Sequence, residues 1–410
     1  MGALLTIDAA IDAVLSAVAP LPAETVALLD ALGRAAGDDI VSGEQVPSFD
    51  NSAMDGYALR GDELCAGRRT YRVTVEIPAG RHVAEPLEPG AAAKIMTGAP
   101  LPPGLDTVVP VELTSQTGDQ LTIHEAVEPG ANVRRAGEDV AVGDVVIPHG
   151  ARLGPAEIGL LASVGVDRLP AARRPHVAIL ATGSELVPVG EPVGPGQIRN
   201  SNSYTAYGQV LGTGAEPVLL GIARDDLDET RRLIAAALEH DVVLTSGGVS
   251  VGEFDFVKQV QEELGVVRGF WGVATKPGKP LAFGVRGRTL VFGVPGNPVA
   301  AMVSFELYIR PALLALQGRR DLYRPYVFAA SGEPVKRTKE RTEARRCRLV
   351  RRDGGWVFTT TGPQGSGILR SMALADGLAF IPAGRPGSEA GASFMVLLLD
   401  GSSEERPPYP

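Results

Sequence analysis

The chain has 410 residues, 44% of them apolar, which is enough for about two to four domains with sizeable cores and excludes global disorder. A formal charge of −9 excludes a general nucleic-acid binder but leaves room for a focused basic pocket. Cys65 and Cys347 are too few for a disulfide framework. Met1-Gly-Ala-Leu-Leu lacks the basic segment of a signal peptide, and no run reads as a membrane span. The expectation is a soluble cytoplasmic protein with neither nucleic-acid nor membrane partners.

Ile7, Ile11, Val14 and Val18 form one helical stripe behind a candidate N-cap, Thr6, and Pro20 and Pro22 stop it. A second apolar segment, 26–32, ends at Gly33. Residues 1–45, together with a return at 140–170 carrying a short helix pattern at 155–164, read as a helical support. Residues 46–139 change character. SFDNSAMDGYALR is turn-prone, then YRVTVEI, AAAKIMT, DTVVPVEL and QLTIHE supply short strands, giving a small, mainly β inserted domain. Its polar groups are Asp50, Asn51, Ser52, Asp55, Thr97, Arg134, Arg135, Glu138 and Asp139. Ordinary solvated turns account for each of these equally well.

Residues 171–320 alternate β-rich runs with helical patterns: HVAIL, EPVLLGI, the helix 227–238, the runs 242–244, 281–285 and 290–294, and a long apolar helix 299–316. That pattern predicts a central parallel α/β sheet, whose ligand crevice lies beyond the carboxyl ends of the strands. The polar loops fall there: Thr182-Gly-Ser184-Glu185, Asn200 to Ser203, Arg224-Asp225-Asp226, Ser246-Gly247-Gly248 with Ser250, and Pro295-Gly296-Asn297-Pro298. Unencumbered glycine amides suit anionic oxygens. Lys276 and Lys279 bracket Pro277-Gly278 as mobile positive points, while Glu253 and Asp255 could hold a divalent cation. Residues 323–402 read as a separate β domain, and 403–410 as a solvated tail. Within it, 336–352 carries nine Lys/Arg against Glu340 and Glu343. Aromatics do not interleave with this tract as a stacking platform requires, which leaves a solvated strand face or an anion site.

There is no P-loop and no dinucleotide-binding glycine turn. His82, His124, His149, His176 and His240 lack metal spacing, and Ser184 lacks the context of a hydrolase nucleophile. Carboxylates, lysines and glycine-amide loops remain. They suit an anionic, phosphorylated substrate with a divalent cation, in a transferase or a hydrolase.

FDNSAMDGYA (49–58), IMTGAPLPPGLDTVVPVE (95–112), RRAGEDV (134–140), TGSEL (182–186), TSGGVSVGEFDF (245–256), KPGKP (276–280) and GVPGNPVAA (293–301) closely resemble the molybdopterin molybdenumtransferase family, which includes the enzymatic part of gephyrin. The resemblance runs over residues 5–400. It implies Mg²⁺-dependent insertion of molybdate, the substrate, into adenylylated molybdopterin with release of AMP. It also implies a four-part chain with a C-terminal β-barrel-like domain, a homodimer with shared sites, and transient contacts with other enzymes of molybdenum cofactor synthesis. Residue by residue, it implies that Asp55 and Thr97, with Asp139, line the site from the partner subunit. Glu185, Asp225 and Asp255 face the phosphates and magnesium, Lys276 and Lys279 hold molybdate, and Arg346 and Ser371 close the pocket. Gly272 and Ala300 depart from the family, standing where other members carry a basic residue and a serine. A molybdopterin adenylyltransferase would share the central domain but not the flanking ones, and a non-catalytic gephyrin-like scaffold would not need the acidic and lysine motifs.

Overall fold

The N-terminal stripe forms the helix Ile7–Ser16, and Thr6 caps it, accepting from the Ala9 amide at 3.2 Å. The structure is a computed structural model describing residues 4–248, 256–352 and 354–410. Ile7, Ile11 and Val14 are buried, in the same core as Val177, Phe292, Phe305 and Leu313. This first helix therefore packs against the central domain.

The helical reading of 26–32 does not hold. Ala23–Ala27 is a strand, antiparallel to Arg168–Ala172, and Leu28–Ala31 is a single 3₁₀ turn leaving Leu29 79% exposed. The segment is held by its pairing with Arg168–Ala172 rather than by an apolar helix face. The support is a mixed unit: its core joins Ala36, Ile40, Ile147 and Leu169 to Leu161 of the helix Pro155–Ser163. The inserted domain is a six-stranded sheet, with Gly56–Leu59 between Ala91–Ile95 and Thr107–Pro110.

In the central sheet the strand order is Glu216–Ala223, His176–Thr182, Val242–Ser246, Thr289–Val294, Ala282–Arg286, Val267–Trp271. The first four are parallel; Ala282–Arg286 alone runs antiparallel to both of its neighbours, so the sheet is mixed. The reason is local. Arg286 pairs with Thr289, leaving a two-residue connection at Gly287 (φ +59°), which closes a hairpin and is too short for a crossover. The core helix spans Pro298–Leu316, with one widened turn at Phe305–Ile309. Its 19 residues and mean hydropathy of 1.6 are long and apolar enough to cross a membrane, contrary to the sequence reading, but 89% of that window is buried inside the fold. Glu306 within it is paired with Arg324 at 2.8 Å.

The C-terminal strands Tyr326–Ser331, Thr342–Arg352, Gly355–Thr360, Gly377–Ile381 and Ser393–Leu398 close into a barrel, because Thr342–Arg352 pairs on both sides. The central-domain strand Thr275–Lys276 adds to it in parallel, Thr275 opposite Thr342 and Lys276 opposite Glu343.

Residues 403–410 are not a solvated tail. Ser403 pairs with Tyr323, Arg406 reaches Asp12 at 2.7 Å and stacks on Tyr323, and the ring of Tyr409 lies 5.3 Å from that of Phe380. Tyr409 gives this segment an apolar anchor that the polar SSEERPPYP string conceals. Tyr409→Ala is expected to destabilise the fold by about 2 kcal/mol in urea unfolding, from lost burial plus the residual cavity; an unchanged midpoint would return the segment to solvent.

Candidate functional site

Four loops converge at the carboxyl ends of the parallel strands, and side-chain hydrogen bonds tie them in pairs. After His176–Thr182 and Glu216–Ala223, the Ser184 amide donates to Asp225 Oδ2 (3.3 Å) and the Asp225 amide donates to Ser184 Oγ (3.1 Å). Glu185 is exposed on the same turn, with its carboxylate folded over Gly183. After Val242–Ser246 and Thr289–Val294, Asn202 Nδ2 donates to Ser246 Oγ (2.7 Å) and to the Gly296 carbonyl (2.8 Å). Asn202 opens the helix Asn202–Leu211, so this helix start locks two loops at once.

Gly247 is required by its conformation. At φ +92° its missing Cβ would lie 2.6 Å from the Thr182 carbonyl oxygen, and its amide donates to the Val294 carbonyl at 3.1 Å. Gly248 (φ +65°) is pressed against Val257 in the same way. Ser250, Glu253 and Asp255 lie outside the described residues.

From this crevice a cleft of about 320 Å³ runs between the central domain and the barrel. The central domain lines it with Lys276, Lys279, Pro295, Asn297 and Ala300, the barrel with Arg341, Glu343, Arg345, Arg346 and Ser366. Pro295 and Asn297 thus belong both to the strand-end loops and to the cleft. The Val299 amide donates to the Ser366 carbonyl (3.1 Å), pinning the start of the core helix to the barrel.

Among the described residues five cations face a single carboxylate in this lining. Lys276 Nζ donates to Glu343 Oε1 at 2.9 Å, and Arg345 donates to Glu343 Oε2 from Nη2 (2.8 Å) and Nε (3.0 Å). Burial alone would raise the Glu343 pKa, but the hydrogen bonds from Lys276 and Arg345 outweigh it and hold the carboxyl below its ordinary range. Arg346 is 1% exposed and has no carboxylate partner among the described residues. Its Nε donates to Ser371 Oγ (3.0 Å) and its Nη2 to the Gly365 carbonyl (2.9 Å), while burial lowers its pKa. A desolvated cation held only by neutral acceptors is expensive unless an anion joins it. Ser371 does not line the cleft. It is buried, accepts from Arg346 and donates to the Ile368 carbonyl (2.7 Å), so it orients the guanidinium.

Two family departures have visible surroundings. A Cβ at Gly272 (φ +91°) would sit 2.7 Å from the mobile end of Leu4, at Cδ2, and the left-handed backbone itself strains any residue with a side chain. Ala300 lines the cleft directly.

Asp55, Thr97 and Asp139 lie elsewhere, in the inserted domain. Asp55 Oδ1 accepts from the Thr97 amide (2.8 Å) and hydroxyl (2.7 Å), and the amide bond first, then the hydroxyl, lowers the Asp55 pKa. The neighbouring Asp50 is held low by the Ala136 amide and by Arg135, against a smaller effect of burial in the other direction. Asp139 is exposed, with its amide donating to Val46. Among the described residues no hydrogen bond or ion pair links Asp55, Thr97 or Asp139 to the crevice or the cleft. Sequence reasoning missed Glu343, Arg341 and Arg345 as cleft residues. The available signal was the basic tract 336–352 itself, read as a solvated strand face or an anion site, with Glu343 one of two acids inside it.

No group of three potential metal ligands occurs among the described residues. Glu185 and Asp225 nevertheless supply two carboxylates on neighbouring loops, a donor set suited to Mg²⁺ when substrate phosphates complete the shell.

Comparison with known proteins covers nearly the whole chain. Residues 5–165 match "MoeA N-terminal region (domain I and II)", 178–315 "Probable molybdopterin binding domain" and 329–399 "MoeA C-terminal region (domain IV)". The chain is 39% identical over 368 residues to molybdopterin molybdenumtransferase 2 of Mycobacterium tuberculosis, covering 87% of this chain and 90% of that one. It is 42% identical over 331 residues to molybdopterin molybdenumtransferase of Haemophilus influenzae, covering 80% and 81%. The crystal structure of the molybdopterin biosynthesis moeA protein of Pyrococcus horikoshii OT3 superposes with a TM-score of 0.82 at 30% identity, over 97% of this chain and all of the other.

The Asp55–Thr97 pair is checked by titration. Thr97→Val removes one of the two donors, so the Asp55 carboxyl signal in ¹³C NMR should titrate at higher pH than in the parent. Because the folded-state pKa is lowered, the stabilisation from these bonds is present above the ordinary carboxylate range and is lost as pH falls through the folded pKa. An unmoved titration would show that the hydroxyl does not hold the carboxylate.

Proposed function

This chain belongs to the molybdopterin molybdenumtransferase family, and on that premise we propose that it inserts molybdate into adenylylated molybdopterin, releasing AMP, in molybdenum cofactor synthesis. The observation that carries the proposal is the electropositive cleft continuous with the strand-end loops through Pro295 and Asn297. The loops at Ser184, Ser246, Gly247 and Gly296 receive the phosphorylated part of the substrate, and the cleft receives molybdate beside Lys279 and Arg346. Among the described residues the Lys279 side chain has no hydrogen-bonded or ionic partner, so its ammonium is available to an oxyanion.

Cleaving the phosphoanhydride leaves negative charge on the departing AMP. Fixed cations and amides stabilise such charge without reorganising, which is worth a few kcal/mol for a well-placed donor. Glu185 and Asp225 are the residues to hold Mg²⁺, with Asp255 as the third carboxylate of the sequence motif. The ion would screen the phosphates from the approaching oxyanion.

The test is one incubation with adenylylated molybdopterin, Mg²⁺ and a molybdate titration, measuring AMP and metallated pterin in the same samples. Both should appear together and depend on molybdate. AMP released at the full rate without molybdate, and no metallated pterin when it is added, would replace the transferase with a hydrolase.

We further propose a homodimer with shared sites. The helix Asn202–Leu211 exposes Tyr204 (54%), Tyr207 (38%) and Leu211 (51%) at helical spacing, a second apolar stripe beside the buried Ser203 and Val210. Tyr204 also lines a cleft of about 370 Å³ with Leu186, Leu219 and Ile222 along the sheet edge. A surface of this kind suits a second copy, and the detached Asp55–Thr97 pair would then reach the crevice of the partner. Mixing Asp55→Asn chains with Asp225→Asn chains should restore part of the activity through heterodimers. Verified heterodimers with no recovery would place Asp55 outside the shared site.

A further inference from the structure

We propose that Glu343 is the resident counter-ion of Lys276, which Lys276 exchanges for the incoming oxyanion while Arg345 stays paired with the still-charged carboxylate. The proposal rests on reading the cleft as the oxyanion site, and it makes Glu343 a residue that sets oxyanion affinity.

Three features single out Glu343. It is the only acid among the described residues of the cleft lining, and its side chain is 14% exposed. Its backbone cannot drift, because Glu343 sits directly opposite Lys276 in the parallel pairing that joins barrel to central domain. Its two oxygens serve different partners, Oε1 taking Lys276 and Oε2 taking both Arg345 nitrogens.

The partners differ in freedom. The Arg345 side chain is 14% exposed, makes two bonds to one oxygen and also donates to the Lys336 carbonyl at 3.2 Å. The Lys276 side chain is 56% exposed and makes a single bond on a four-carbon stem. An oxyanion arriving beside Lys279 and Arg346 can therefore draw Lys276 away at low cost, whereas Arg345 stays. The lowered pKa of Glu343 means its charge persists across neutral pH. Once Lys276 has swung, a dianion and this carboxylate face each other across one cleft, and their repulsion limits retention. A purely structural ion pair would have no such effect on ligand affinity.

Molybdate binding by isothermal titration calorimetry on the full chain tests this. Glu343→Gln should bind molybdate about three- to tenfold tighter than the parent, the modest range reflecting the solvent screening of Lys276. Lys276→Ala should cost more affinity in the Glu343→Gln background than in the parent, because the lysine is then uncommitted. Glu343→Asp, which keeps a charge for Arg345 but withdraws it from Lys276, should shift affinity in the same direction and serves if the Gln variant does not fold. Unchanged or weaker binding by the folded variants, with Lys279→Ala still weakening the parent, would overturn the counter-ion role and leave the cleft reading standing. Molybdate binding that is absent, or indifferent to Lys279→Ala, would overturn both.

Discussion

Two residues of parallel pairing, Thr275 with Thr342 and Lys276 with Glu343, hold the functional geometry of this chain. They splice a central-domain strand onto the barrel, so the cleft between the two domains has a rigid floor, and the core that joins Ala344 and Phe380 of the barrel to Phe292 and Phe305 of the central domain continues across the same junction. The Val299 to Ser366 backbone bond and the packed 403–410 segment brace the same junction from other sides. Positions set by backbone pairing are far less free than positions set by surface ion pairs, and the cations that line the cleft descend directly from this splice.

The electrostatics follow from the same junction. An overall acidic chain concentrates five cations around one carboxylate in a partly enclosed space, where charges are screened less than at an open surface. Arg346, buried with only neutral acceptors, is the costliest of them to keep without an anion. The strand-end loops contribute the complementary element, amides and small hydroxyls locked by Asn202 and by the Ser184–Asp225 exchange. In the proposed function the cleft takes the small oxyanion and the loops the extended phosphate, and the two regions meet at Pro295 and Asn297.

Much of this was legible in the residues. Gly and Ser clusters following short β-rich runs marked the crevice, and the glycines prove necessary where the chain turns at positive φ, as at Gly247. The first helix with its Thr6 cap also follows from local pattern, whereas the strand pattern of 323–402 reads only as a β domain and its closure into a barrel was implied by the family resemblance alone. The misreadings share a physical origin, namely that short apolar runs carry no direction. The 281–285 and 290–294 runs look like two parallel strands until the two-residue turn between them is noticed, and 26–32 looks helical until its strand partner, 140 residues away in sequence, is known. Long-range partners also hid the role of Glu343: inside a basic tract it reads as a surface charge, and only cross-domain pairing brings Lys276 to it. Tyr409 was invisible for the same reason.

The central claim is that the cleft between the sheet and the barrel holds the oxyanion. The most direct measurement is anomalous diffraction at the molybdenum edge from crystals soaked in molybdate. The account expects a single strong anomalous peak in the cleft, within hydrogen-bonding reach of Lys279 and Arg346, with Lys276 turned toward it. A peak confined to another surface, or a cleft without anomalous density in crystals that bind molybdate elsewhere, would contradict it.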